Sequence, residues 1–171
     1  MLYGASGSVG KHNMRLFVAA GDEVTAVCQS GNVSGVDGLI AIVKGDAKNL
    51  IECENQCAGF DVIVCTVGLY YTSKVWNKEW PLIIKSLLNA AEKNYATFVF
   101  ADNLYMFGPE AEYPLRSTCR AFTKFGSKPA LRSSMDEMIL SSKCNCFSIS
   151  SMSVGTSNPP SEVAEVLVKE T

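Results

Sequence analysis

Short apolar runs and amphipathic stretches alternate along the chain. Met1-Leu2-Tyr3 reads as a short strand ending at Gly4, and Val24-Thr25-Ala26-Val27-Cys28 as a buried strand rich in β-branched residues. Leu39 to Val43 is a third strand, Val62 to Val67 a fourth ended by Gly68, Thr97 to Ala101 a fifth and Phe147 to Ser150 a sixth. Helical patterns fill the intervals. Val9 to Ala20 places Val9, Met14, Phe17 and Val18 on one face, and Gly21 suits its C-terminal cap. Ala47 to Ala58 is a helix closed by Gly59. Pro81 opens a helix to about Asn94, with Ile84, Leu87, Leu88 and Ala91 on its apolar face. Another helix fits Pro129 to Ser142. Gln29 to Gly38 is a Ser-, Gly- and Asn-rich loop, and Tyr105 to Phe125 is mostly loop, marked by Gly108, Pro109 and Pro114. The stretch from Asn158 carries Pro159 and Pro160 and is expected to end in a short helix.

Strand and helix in alternation predict a parallel sheet with helices on both faces. The strands read as continuous apolar runs, as burial on both faces demands. The expected fold class is therefore α/β, a doubly wound parallel sheet of the Rossmann-like kind, as one domain over residues 1–171 with a short first strand. With 47% apolar and 19% charged residues the chain is too apolar for intrinsic disorder. A net charge of −2 leaves no electrostatic footprint for nucleic acid. No apolar run reaches about 18 residues, so no membrane span is read. No basic-then-apolar leader opens the chain. The odd count of seven cysteines points to reduced thiols and a cytoplasmic location. Cys53 with Cys57 and Cys144 with Cys146 are weak zinc spacings, and His12 is the only histidine, so no metal is assigned.

The strongest motif is Gly4-Ala5-Ser6-Gly7-Ser8-Val9-Gly10, at the junction of the first strand and first helix. Gly4 permits a sharp turn. Gly7 clears the approach of a pyrophosphate to the backbone, and Gly10 allows the helix to pack on the sheet. The amides of Ser6, Gly7, Ser8, Val9 and Gly10, at the positive end of a helix, then hold phosphates. At the end of the second strand, an acidic residue would select NAD and a basic one NADP. Cys28-Gln29-Ser30 has neither, so the cofactor is NAD or NADP, with Gln29 or Ser30 on the ribose.

On these residues the chain resembles the extended and atypical short-chain dehydrogenase/reductase superfamily, in its NAD-dependent epimerase/dehydratase branch. Gly4-x-x-Gly7-x-x-Gly10 has the extended-type spacing. Gly45-Asp46-Ala47 looks like the family's adenine-contacting turn, with Asp46 on the exocyclic amine. Thr66-Val67-Gly68 stands where the family chain passes under the cofactor. Phe98 to Pro109 resembles the fifth strand and its active-site turn, especially in an atypical bacterial-type subgroup. The resemblance implies an oxidoreductase or epimerase acting on a carbonyl or sugar-nucleotide substrate. It also implies pairing of two copies through helices 81–94 and 129–142.

The departures bear on chemistry. The superfamily uses a Ser or Thr where Asn103 stands, then a Tyr and a Lys four residues apart. The best alignment puts Lys128 at the Tyr position and Arg132 at the Lys position. Asn103, Lys128 and Arg132 are the catalytic candidates: Asn103 as a donor to a substrate carbonyl, Lys128 as a general acid pushed toward neutrality by Arg132 one helical turn away. The blander alternative makes Lys128 and Arg132 surface cations or ribose and phosphate ligands. Tyr70, Tyr71, Trp76 and Trp80 either wall a substrate pocket or pack between loop and helix. Relatives continue with a helical substrate-binding part. The expectation is that this C-terminal part is missing here and that stability is correspondingly lower. The competing readings are an active NAD(P)-dependent enzyme and a non-catalytic nucleotide-binding sensor or interaction module.

Overall fold

Thr25 to Cys28 are buried without a break, and so are Ile63 to Cys65. Such strands need partners on both faces. The computed structural model, which describes residues 1–35, 37–103, 105–107, 124, 126–150 and 167–170, provides them. Its strands are β1 (Leu2–Tyr3), β2 (Thr25–Cys28), β3 (Ala41–Lys44), β4 (Val62–Cys65), β5 (Thr97–Asp102), β6 (Cys146–Ser150) and β7 (Leu167–Glu170). Its helices are α1 (Ser8–Ala20), α2 (Leu50–Gln56), α3 (Ser73–Asn94) and α4 (Ser127–Leu140), with a short 3-10 turn at Tyr105–Phe107. The sheet order is β3-β2-β1-β4-β5-β6-β7. The first six strands run parallel in the doubly wound order.

β7 corrects an expectation. Leu167 to Glu170 form an antiparallel edge strand on β6 in place of a terminal helix, with Val168 opposite Ile149. Pairing there gives backbone partners to a β6 edge that a helix would leave bare.

Two apolar layers sandwich the sheet. On one face Tyr3, Ile63, Cys65, Phe98 and Phe100 meet α2, α3 and α4, chiefly through Cys53, Trp80, Ile84, Leu87, Met135 and Ile139. On the other, Leu2, Ala26, Cys28 and Val64 meet Met14 of α1, with Phe17 and Val18 beside it. Double-sided burial holds only near the centre. In β3 and β5 burial alternates, because helices cover one face of those strands more fully than the other. Val9 also departs from its expected face: it is 53% exposed, in the first turn of α1 and clear of the sheet.

Local chemistry sets the helix ends. Gly21 closes α1 at φ 92°, with the Gly21 and Asp22 amides donating to Val18 and Phe17 carbonyls. α2 is shorter than its pattern. Asp46 accepts from the Lys48 and Asn49 amides, which takes 46–49 into a turn and leaves Asn49 to cap through Glu52 N–H. The largest correction is at Pro81. It lies inside α3, which starts eight residues earlier behind a Thr72 cap that accepts from Val75 N–H. An interior proline costs about 3 kcal/mol. Trp76 and Trp80 offset that cost, because the extra turns bury both indoles on the same stripe as Ile83, Ile84 and Leu87, at roughly 1.5–3 kcal/mol for each large side chain.

Candidate functional site

The chain leaves β1 through a turn that only glycine can make at its first position. Gly4 has φ +83°, and a Cβ there would stand 2.6 Å from the Thr66 carbonyl carbon and the Val67 nitrogen. The Gly4 and Ala5 amides both donate to the Val27 carbonyl, which ties the turn to β2. A Cβ on Gly10 would lie 2.4 Å from the Gly4 oxygen, so α1 rests directly on the loop backbone. Gly7 differs from both. Its φ is −73°, and an added Cβ would meet only the Gly4 oxygen, at 3.3 Å. The fold therefore has little need of a glycine at 7. Ser6, Gly7, Ser8 and Val9 are exposed, and no side chain caps α1. The first amides of the helix face outward with the positive end of its dipole.

β1 passes the chain to α1 on one face of the sheet and β4 passes it to α3 on the other. Their carboxyl ends diverge, and a crevice opens where the strand order reverses. This cleft has a volume of about 730 Å³. It gathers Gly4, Ser6, Gly7, Gln29, Asp46, Ala47, Val67 and Gly68 from four separate strand ends. Ser8, Val9 and Gly10 form the helix turn beside it. Ser30 also lines it, but its hydroxyl is committed to the Asn32 backbone, donating to the carbonyl and accepting from the amide.

Lys48, Val75, Glu79 and Ile83 also line it and escaped the reading of the sequence. Val75, Glu79 and Ile83 form an i, i+4 stripe on α3. Starting that helix at Pro81 hid it. Lys48 Nζ lies 3.1 Å from Glu79 Oε2 and 3.8 Å from Asp46 Oδ2, and the Glu79 hydrogen bond raises the lysine pKa above its ordinary value. Asp46 thus faces the cleft with one oxygen accepting the Lys48 amide and the other near its ammonium.

The three catalytic candidates lie elsewhere among the described residues, and none lines this cleft. Arg132 is not a surface cation. It is 3% exposed, and its Nη1 donates to Asp102 Oδ1 at 2.8 Å. Its guanidinium packs over Trp80, Trp76 and Phe100 at 4.4, 4.8 and 5.5 Å from the ring centres. Lys128 is half-buried with its ammonium 3.1 Å above the Tyr71 ring. The Asp102 carboxylate opposes the Arg132 charge that was expected to act on Lys128. Asn103 is half-buried at the end of β5. The aromatic group divides: Trp76 and Trp80 are core, Tyr70 lines the cleft, and Tyr71 meets Trp76 edge-on at 5.3 Å. Thirty residues separate Asp102 from Arg132, and no local spacing signals that pair.

No family model matches this chain, and no curated protein matches it. Solved structures do. The Bordetella bronchiseptica enzyme WbmH in complex with NAD+ superposes with a TM-score of 0.73 at 17% identity, over 87% of this chain and 53% of that one. It shares this fold. The Bordetella bronchiseptica enzyme WbmG in complex with NAD and UDP gives 0.71 at 15% identity, over 86% of this chain and 50% of its own. UDP-glucose 4-epimerase from Bifidobacterium longum, in complex with NAD+ and UDP, gives 0.67 at 15%, over 80% and 46%. The chain therefore spans about half the length of the structures it matches. At these identities the likeness establishes the Rossmann-like α/β architecture. Among the described residues no helix is long and apolar enough to cross a membrane.

Proposed function

We propose that this chain binds a dinucleotide, NAD or NADP, with its pyrophosphate against the backbone of Ser6 to Gly10. The observation that carries this reading is the contrast among the three glycines. Gly4 and Gly10 are demanded by the fold, whereas a Cβ on Gly7 asks only a few tenths of an ångström of give from the Gly4 oxygen, and Gly7 opens onto the cleft. A residue kept bare beside outward-facing amides suits the close approach of an anion. In this reading Gln29 meets the ribose, Asp46 the adenine amine, and Val67 and Gly68 the middle of the ligand, a reading supported by all four lining the cleft. The occupied structures that share the fold support the same assignment.

A bound nicotinamide would supply hydride transfer to or from a carbonyl or sugar-nucleotide carbon. This chain's residues would hold the phosphates and ribose along the cleft, and Asn103 and Lys128, outside its lining, are the candidates for proton handling at the carbonyl. A second reading, a nucleotide-binding module without turnover, is favoured by one observation. Arg132, at the position of the family's lysine, is engaged with Asp102 beneath three aromatic rings. A panel of ketones, aldehydes and nucleotide sugars with each cofactor separates the two.

Binding itself is tested by fluorescence titration with NADH and NADPH on the natural chain and on Gly7→Ala. The methyl group displaces the phosphates from charge-assisted amide bonds worth roughly 1.5–3 kcal/mol, so Kd should rise about 10- to 100-fold. The φ of −73° is open to Ala, and the Gly4 oxygen has only a few tenths of an ångström to give. Absence of binding by the natural chain, or equal affinity in Gly7→Ala, overturns the assignment.

A further inference from the structure

At the end of the sheet away from the cleft, Ser142, Cys144 and Cys146 converge. Ser142 follows α4 and donates to the Ile139 carbonyl at 2.7 Å, which fixes its hydroxyl. Cys146 opens β6, in register with Phe98 near the start of β5. A single residue, Asn145, separates Cys144, in the bend after α4, from Cys146 in the strand, and both side chains turn to the same side. Their sulfurs lie 3.1 Å apart, with the Ser142 oxygen 3.0 Å from Cys146 Sγ and 3.7 Å from Cys144 Sγ. The two thiols are not equivalent. Cys146 is 2% exposed, whereas Cys144 is half-buried and lines an open groove of about 650 Å³ together with Glu92, Lys93 and Lys143.

A disulfide needs sulfurs about 2.05 Å apart. Closing this pair takes roughly 1 Å of movement, with neither side chain having to turn around. We propose that Cys144 and Cys146 form a thiol–disulfide exchange site that takes small disulfides from the groove. Cys144 loses its proton and attacks one sulfur of the disulfide. A protein–ligand disulfide forms, the ligand S–S bond breaks, and the leaving thiolate takes up a proton. Cys146 then gives up its proton and attacks the Cys144 sulfur. The mixed disulfide breaks, and the second ligand thiol departs protonated. In sum two protein thiols are oxidised to one disulfide and one small disulfide is reduced to two thiols.

The environment assigns the order of attack. The hydrogen bond from Cys146 lowers the pKa of the Cys144 thiol below its ordinary value, against an opposing effect of burial. An attacking thiol works best with its pKa near the ambient pH. The same hydrogen bond between the sulfurs, with burial, raises the pKa of Cys146 and keeps it protonated. That restraint ends once Cys144 is in a neutral mixed disulfide, so the second thiol is released for attack only after the first has reacted. Burial pushes Cys53 and Cys65 up to about 12, which leaves them protonated and unreactive at neutral pH.

The full chain, reduced and then held at pH 7 with excess 2-hydroxyethyl disulfide, tests this by intact mass and peptide mapping. The natural chain should lose two hydrogens, mapped to a Cys144–Cys146 link. Cys146→Ala should accumulate the mixed disulfide on Cys144. Cys144→Ser should consume the reagent about ten-fold more slowly, since the attacking thiol is gone. Retention of both thiols in the natural chain, or a link mapped to another pair, overturns the proposal. So does an adduct on a different cysteine in Cys146→Ala. Cys144→Ser alters only a half-exposed turn residue. Should Cys146→Ala fail to fold, an undiminished rate in Cys144→Ser still refutes the site.

Discussion

Replacing Gly4 by Ala puts a methyl group where the backbone of Thr66 and Val67 already lies. The nearest atoms are three backbone atoms at 2.6 Å, none of which can rotate aside. The chain must either open the β1–β4 pairing or abandon φ +83°. A left-handed backbone costs a non-glycine residue roughly 1–2 kcal/mol, and overpacking a fitted interior adds about 1–3 kcal/mol. Together the loss is about 2–5 kcal/mol. β1 has only two residues and is paired on both sides, so little ladder is available to absorb the shift. At about 2–4 °C per kcal/mol for a chain of this size, Tm should fall by roughly 5–15 °C. Urea denaturation followed by circular dichroism, run beside Gly7→Ala, measures the difference. Gly7→Ala should stay within about 1 kcal/mol of the natural chain, because its Cβ has a single neighbour at 3.3 Å. Equal stabilities for the two variants would refute the claim that the first glycine serves the fold and the second a ligand.

Two further outcomes follow from buried groups. Arg132→Met keeps an unbranched chain against Trp76 and Trp80 but leaves the Asp102 carboxylate, 1% exposed, without its guanidinium. Unfolding free energy should drop by about 3 kcal/mol or more in urea titration, and a loss below about 1 kcal/mol would show the pair to be dispensable. Burial also sets a pH dependence. Cys53 and Cys65 ionise at about 12 in the fold, against an ordinary value of 9.0. The unfolded chain releases these protons first, so their contribution is complete below pH 9 and lost as pH rises from 9 toward 12. The urea midpoint should fall across that window, and a midpoint that climbs there would contradict the burial of both thiols.

The order of strands and the glycine turn were legible because both are encoded locally. Apolar runs of four to six residues mark strands wherever they fall, and Gly4, Gly7 and Gly10 announce a strand-to-helix turn by spacing alone. Gly21 ended its helix as read, whereas α2 stops at Gln56 behind a Cys57 cap, ahead of Gly59. The misreadings came where distant contacts outweighed local preference. Pro81 is a helix opener by propensity. The burial of Trp76 and Trp80 against Phe100 made it an interior residue instead. Leu167 to Glu170 became a strand because β6 had an edge to offer.

What the amino-acid order decided unaided was the class of fold and the loop facing the cleft, since these depend on periodicity and on where a side chain is missing. Which polar groups share a site was settled only in three dimensions. Lys48 with Glu79, Asp102 with Arg132, and the roles of Cys144 and Cys146 all rest on distances and burial. Electrostatic partnership depends on separation through space and on exclusion of water, and neither can be read along the chain.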